Sequence, residues 1–459
     1  MTSDPTSTIA AITQRAEKDY PRVLDELVEL VRIPSVSNAS FDQANLDTSA
    51  RAVADLLRDA GLRDVRIVTA TTADGQVSRP AVLAHRPGPD GAPTVLLYAH
   101  HDVQPPGETA DWSIDDPFTP VRRGERLFGR GAADDKAGIM AHVGALRALG
   151  DDLPVGVTVF IEGEEEIGSP TFHEFLTTYE DDLAADVIVV ADSTNWAVGT
   201  PSLTTSLRGM AQVQVTVTAA HHAVHSGVFG GPSLDAVTLA SRLIATLHDD
   251  DGSVAVLGLH ASEDDLVHYD EAEFRRGAGL VDSLRLAGTG SVASRLWSKP
   301  ALAVIGLDTT SVARSSNTLI PACTFVLSLR VAPSQDPREA AEALVAHLDA
   351  NTPFGAEVDA RITEAGPGFD GSERTEALDA AEWALAQAWG SPAVHQGMGG
   401  SIPFIADLKE VFPDAQILVT GVEDPDSRAH SADESLHVGE HAKAVLAEAL
   451  LLARLGGLA

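Results

Sequence analysis

TVLLYAHHDVQP (94–105) opens as an unbroken apolar run and closes on His100, His101 and Asp102. A run of this length and shape predicts a strand buried on both faces that ends in polar side chains. Side chains alternate faces along a strand, so His100 and Asp102 point one way and His101 the other. A ligating imidazole needs its second ring nitrogen held, commonly by a carboxylate, and Asp102 stands where it can do so. A polar strand end with no ligand is the plain alternative for this segment taken alone.

Working outward, similar apolar runs recur at VRIV (65–68), VTVFIEG (157–163) and VIVVADS (187–193). Between two of them, 136–149 carries Ile139, Val143 and Leu146 at helical spacing. Upstream, Val23, Leu24, Leu27, Val28 and Val31 predict a helix, and Leu46, Val53, Leu56 and Leu57 another, with Gly61 as its C-terminal stop. This βαβ rhythm predicts a largely parallel sheet flanked by helices.

The rhythm changes near 207. MAQVQVTVTA (210–219) alternates at period two. A helix at 233–248, the run TFVLSLRVA (324–332), a helix at 337–350 and the run AEVDARIT (356–363) follow. They predict a smaller α+β domain on an antiparallel sheet, with 249–299 as an irregular insertion holding local helices. From about 366 the first pattern returns, with a helix at 376–389, the strand QILVTGV (416–422) and a last helix at 439–455. The expected fold is therefore α/β with two domains. A mainly parallel-sheet domain (1–206 and 367–459) is interrupted by the smaller α+β one (207–366).

With 459 residues, 44% of them hydrophobic, the chain can bury more than one core. The formal net charge of -35 repels nucleic acid and anionic membranes, so neither is an expected partner. No apolar run approaches the roughly 18 residues of a membrane span. The single cysteine, Cys323, lies in an apolar run and allows no intrachain disulfide. The first residues lack a basic start followed by an apolar stretch, so no signal peptide is expected and the cytoplasm is the default location.

Five groups of acidic or imidazole residues fall at strand ends, the edge where open α/β sheets bind ligands. Besides His100, they are Asp134-Asp135, Glu164-Glu165-Glu166, Asp192 and His430. Each has an ordinary explanation. Asp134 or Asp135 could simply cap the helix that begins at Lys136. The glutamate run could be a solvated turn, Asp192 another cap, and His430 a surface loop residue. Together, however, two imidazoles and several carboxylates suit Zn²⁺, Mn²⁺ or Co²⁺. Their number fits two cations sharing one carboxylate, as in dinuclear hydrolases.

In order along the chain, HHDVQP (100–105), GRGAADDKAG (129–138), EGEEEIGS (162–169), VADS (190–193), HSGVFGG (225–231), GGSIP (399–403) and AHSADE (429–434) resemble the motifs of the M20 metallopeptidase family. The wording is most similar to its carnosinase-like dipeptidases. The resemblance implies two divalent ions, Zn²⁺ first, with Mn²⁺ or Co²⁺ as alternatives. It assigns His100 and Asp192 to one ion, Glu166 and His430 to the other, and Asp134 as the bridge, with a cis peptide before Asp135. Asp102 would orient His100, and Glu165 would serve as general base and acid on the attacking water. The inserted domain resembles the family's lid and dimerisation domain. There His225 would stabilise the oxyanion, from the neighbouring subunit of a homodimer in the family's usual arrangement. Arg330 would clamp the substrate carboxylate, with Gly400, Ser401 and Thr318 or Asn317 lining the pocket. Cleavage of a small peptide is the expected activity. An N-acyl amino acid amidohydrolase or a glutamate-type carboxypeptidase is the runner-up, and a non-catalytic metal-binding protein the alternative from another class.

Overall fold

In a computed structural model, the structure describes residues 5–263, 267–400 and 403–458. The chain separates into two units: Met1–Thr205 with Gly371–Gln396 and Pro403–Ala459, and Ser206–Asp370 with Gly397–Ile402.

The first unit is built on a six-stranded sheet. Its order is Arg63–Val68, Ala81–Arg86, Gly156–Glu162, Thr94–His100, Val187–Val190 and Gln416–Val419. The last four strands run parallel. Ala81–Arg86 runs antiparallel to both of its neighbours, so the sheet is mixed at one edge. Every residue of Gly156–Glu162 and Val187–Val190 is buried, which is why these runs show no alternation. Helices Pro5–Val31, Lys136–Leu149 and Val438–Leu455 pack together beside the sheet.

The first helix extends well upstream of the expected turns and runs through Pro21. Ile12 and Ala16 continue its buried stripe toward Val23 and Leu27. Its C-terminal carbonyls are capped from a distance. The fully buried Lys136 Nζ donates to Leu30 O at 2.9 Å and to Ile33 O at 2.7 Å. A cation there complements the helix dipole, although burial lowers the pKa of Lys136 to about 7.

The second unit carries a four-stranded antiparallel sheet in the order Ala301–Asp308, Ala322–Val331, Gly209–Thr218 and Glu357–Gly366. Ala211, Val213, Val215 and Val217 face inward with Cys323, Phe325, Leu327 and Leu329. Helices Ala236–Ala245 and Pro337–Ala350 cover that face. The strand Ala301–Asp308 is an addition to the sequence reading. It is an edge strand whose side chains are half-buried or exposed, so it has no buried alternation to reveal it. The stretch before it holds the short helices Glu271–Gly277 and Val292–Trp297. Among the described residues no helix is long and apolar enough to cross a membrane.

Candidate metal centre

The C-terminal ends of the four parallel strands meet at one edge of the first unit's sheet, and the predicted ligands gather there. His100 closes its strand and is fully buried. Its Nδ1 lies 3.1 Å from the carbonyl of Asp102 and 3.4 Å from Asp102 Oδ1. Its Nε2 points into the cluster, 3.1 Å from Asp134 Oδ1 and 3.9 Å from both Glu165 Oε2 and Asp192 Oδ1. On the other side, His430 Nε2 lies 2.9 Å from Asp134 Oδ2 and 3.1 Å from Glu166 Oε2. One oxygen of Asp134 thus faces each histidine. The groups His100, Glu165, Asp192 and Asp134, Glu166, His430 each bring three donor atoms within 4.8 Å of one another.

The adjacent aspartates divide their work. Asp135, not Asp134, caps the following helix, with Oδ1 accepting from Gly138 N at 3.2 Å. The peptide between the two is cis. The glutamate run divides as well. Glu164 is buried and accepts from Arg79 N, Thr171 N and Thr171 Oγ1, which pins the turn. Glu165 and Glu166 follow it into the cluster.

Asp102 does more than face His100. Its two oxygens accept from Glu165 N at 3.2 Å and from Glu166 N at 3.0 Å. One buried carboxylate therefore ties the histidine strand to the glutamate turn. Glu166 is held further by Gln104, whose backbone N and side-chain Nε2 donate to it at 3.0 and 2.8 Å.

Glu434 is a residue that local reading missed. It is fully buried and accepts from Arg130 Nη1 at 2.6 Å, Gly131 N at 3.1 Å, Ala133 N at 2.9 Å and Asp134 N at 3.1 Å. It shapes the loop that carries Asp134. Gly131 sits in that loop at φ +82°, and a Cβ there would lie 2.6 Å from Val103 Cγ1. Glu434 belongs to the AHSADE segment, but its partners lie some 300 residues away and leave no local pattern.

The electrostatics show a surplus of negative charge. Burial raises Glu166 to about 7, with the neighbouring Asp134 charge adding to it. Burial raises Asp192 to about 6, and His100 partly offsets this. Glu165 lies well above the usual carboxylate range through burial and the charges of Asp192, Glu166 and Asp102, against His100. Hydrogen bonds to Asp134 and Glu166 push His430 up to about 11. Burial opposes protonation of His100, yet its bonds to Asp102 and Asp134 and the charges of Asp192 and Glu165 carry it well above its ordinary value. Crowded carboxylates of this kind require cations or protons. The donor set, two imidazoles and four carboxylates with no thiolate, fits divalent ions of the Zn²⁺, Mn²⁺ and Co²⁺ type.

The remaining expected site residues belong to the second unit. His225 and Thr318 are paired across a short two-stranded ladder and are both exposed. Ser226 N donates to Asn317 O at 2.9 Å. His225 Nδ1 accepts from Gly227 N at 3.1 Å. Arg330 lies in the strand Ala322–Val331 opposite Met210. Gly400 has open space around it, and Ser401 lies outside the described residues.

Residues 96–454 match Peptidase family M20/M25/M40. A cysteinylglycine-S-conjugate dipeptidase of Corynebacterium striatum is 33% identical over 446 residues, covering 95% of this chain and 96% of that protein. A Cys-Gly metallodipeptidase of Candida albicans is 27% identical over 455 residues, covering 93% of each. Among solved structures, human carnosine dipeptidase 1 shares the fold with a TM-score of 0.76 at 23% identity, covering 98% of both chains.

Proposed function

Because the chain belongs to peptidase family M20/M25/M40 and is a metal-dependent dipeptidase, we propose that it works with two divalent ions, Zn²⁺ first with Mn²⁺ or Co²⁺ as alternatives, and uses Glu165 as its proton carrier. The observation that carries the two-ion reading is Asp134, with one oxygen toward His100 and the other toward His430. His100 and Asp192 would hold one ion, Glu166 and His430 the other, and Asp134 both. When bound, such ions polarise the scissile carbonyl and lower the pKa of water.

The chain's own residues supply the rest. Asp102 fixes the imidazole of His100 and, through two backbone N–H groups, the direction of Glu165 and Glu166. Glu165 takes the proton of the attacking water on a carboxylate oxygen and delivers it to the departing amine nitrogen. Burial gives this carboxylate the raised proton affinity that a two-way carrier needs. In the inserted unit, His225 would donate a hydrogen bond to the oxyanion, and Arg330 would grip the carboxylate end of the peptide. His225 would act from the partner subunit of a homodimer built through that unit. A cytoplasmic setting is part of the same proposal.

Elemental analysis of gently purified protein should find near two ions per chain. Cys-Gly, β-Ala-His and other dipeptides should be hydrolysed faster than N-acetyl or N-succinyl amino acids. A reproducible metal content near zero, with no activity on adding Zn²⁺, Mn²⁺ or Co²⁺, would defeat the proposal. Preference for the acylated substrates would move it to the aminoacylase-like branch. The arrangement across subunits has its own test. Mixed dimers of His225→Ala and Glu165→Gln chains should recover activity, since one site then holds both intact groups. Verified heterodimers that stay inactive would place His225 within its own chain or outside the reaction.

A further inference from the structure

His142 lies in the middle of helix Lys136–Leu149 and is fully buried. Its Nδ1 lies 2.8 and 2.9 Å from the two carboxylate oxygens of Glu448, on helix Val438–Leu455. Its Nε2 lies 3.0 Å from the carbonyl oxygen of Tyr98. A carbonyl accepts and never donates, so Nε2 carries a proton. The near-equal distances to both oxygens of Glu448 mark an ionised carboxylate that accepts, so Nδ1 carries a proton as well. The ring is therefore an imidazolium. Burial works against this charge, and Glu448, through its own charge and its hydrogen bond, outweighs burial and raises the proton affinity of His142.

A buried ion pair is a demanding way to fill a core, since apolar side chains of similar volume often serve stability as well or better. Tyr98 shows what else the pair does. Its carbonyl also accepts from Ala191 N at 3.1 Å, and the next residue is Asp192. Its hydroxyl donates to Glu162 at 2.6 Å, and Glu162 closes the strand that leads into the glutamate turn. Its own strand ends two residues later on His100. Tyr98 is thus a junction of the parallel strands that carry His100, Asp192 and the Glu165–Glu166 turn. His142 grips that junction with a charged donor, the stronger kind of hydrogen bond.

A buried histidine in this core need not do so. His441 is equally buried on the last helix, and its Nε2 lies 3.0 Å from Ala137 O, a helix carbonyl. Burial lowers His441 to about 4, so its ring is neutral. His441 joins helix to helix, whereas His142 joins two helices to the strands that end in metal ligands.

We propose that His142, charged and held by Glu448, is a positioning residue that fixes His100 and Asp192 relative to each other through the Tyr98 carbonyl. It acts from behind the ligands, through the backbone. The inference rests on the two-ion reading above, in which His100 and Asp192 hold the same ion.

The test compares two double variants with wild type. His142→Gln with Glu448→Gln keeps a neutral donor where Nε2 stood. His142→Leu with Glu448→Met removes the donor and keeps the bulk. The glutamine pair should hold kcat within about threefold of wild type. The apolar pair should lower kcat about tenfold or more, the scale of one lost charge-assisted hydrogen bond, with KM within about twofold. In the Co²⁺-loaded enzyme the visible absorption bands should move in the apolar pair and stay in the glutamine pair. His441→Leu should leave kcat and bands at their wild-type values, whatever it does to stability. In chelated wild-type protein at pH 7, nitrogen NMR should find both ring nitrogens of His142 protonated, with the signals assigned by their loss in the glutamine pair. A singly protonated ring, an apolar pair with wild-type kcat and bands, or a glutamine pair as impaired as the apolar one would each overturn the inference. Should the apolar pair not fold, His142→Met with Glu448→Gln takes its place in the same comparison. If that chain does not fold either, the histidine is structural and the inference is overturned. A wild-type protein that takes up no metal breaks the two-ion reading and the positioning role with it, whereas a neutral His142 ring breaks the inference alone.

Discussion

The sheet edge of the first unit and the buried Arg208 of the second carry opposite surpluses of charge. At the edge, burial raises the proton affinity of Glu165, Glu166 and Asp192, and the charge of Asp102 adds to each. In the other unit, Arg208 and Arg330 lack any carboxylate among the described residues. Arg130 with Glu434 and Arg126 with Asp424 show the third condition, in which charge is matched inside the chain. The difference teaches how to separate scaffold from site. A matched buried pair has finished its work in the fold. The unmatched carboxylates of the sheet edge call for cations or protons.

The largest expected effect tests the acidic edge itself. Glu165→Gln keeps the size of the side chain but cannot take up a proton, and general-base loss costs ~10²–10⁴-fold in kcat. Metal content should stay at the wild-type value. Glu166→Gln should instead lower metal content. The reverse pattern in elemental analysis would exchange the roles of these two neighbours.

The next effect separates matched from unmatched charge in metal-free protein. Glu434→Gln leaves Arg130 buried without its partner, which costs about 3–5 kcal/mol. Asp192→Asn removes one member of a repelling cluster and should leave chelated protein as stable as wild type or more so. Denaturant unfolding of both variants after chelation measures this. A comparable loss from each would erase the distinction.

The smallest effect is a slope with pH. Glu162, raised by burial to about 8, Glu166 near 7 and Asp192 near 6 all lie above the ordinary carboxylate values of 4.5, 4.5 and 3.8. Each therefore favours the fold fully only below its unfolded value, and loses that contribution as pH rises through its folded one. His430, raised from 6.5 to about 11, loses its contribution over a higher range in the same direction. The Tm of chelated protein should fall between about pH 5 and pH 8. Added Zn²⁺ or Mn²⁺ should restore it by an increment that grows with pH, because binding displaces these protons. A chelated protein that is most stable at pH 8 would contradict the charge surplus.

Much of this was legible in residue order. TVLLYAHHDVQP, VTVFIEG and VIVVADS announced buried parallel strands, because strands covered on both faces read as unbroken apolar runs. Their polar ends placed His100, Glu165, Glu166 and Asp192 at one edge, because parallel strands share one C-terminal side. The alternation in MAQVQVTVTA announced a half-exposed sheet in the second unit. The edge strand Ala301–Asp308 and the upstream turns of the first helix escaped. The one shows no buried period, and Pro21 interrupts the pattern of the other.

What only the tertiary structure decided is the division of labour between neighbours of the same chemistry. The motifs singled out Asp134, Glu165 and Glu166, but residue order could not say that Asp135 is the neighbour that caps the helix or that Glu164 is the one that pins the turn. Nor could it mark Glu434 as the carboxylate that holds the Asp134 loop, or Arg208 as an arginine without a counter-ion among the described residues. Local order determines which elements form and where their ends fall, because propensity and burial period act over a few residues. Charge compensation is settled by partners up to some 300 positions apart, and only the folded chain brings those partners into reach.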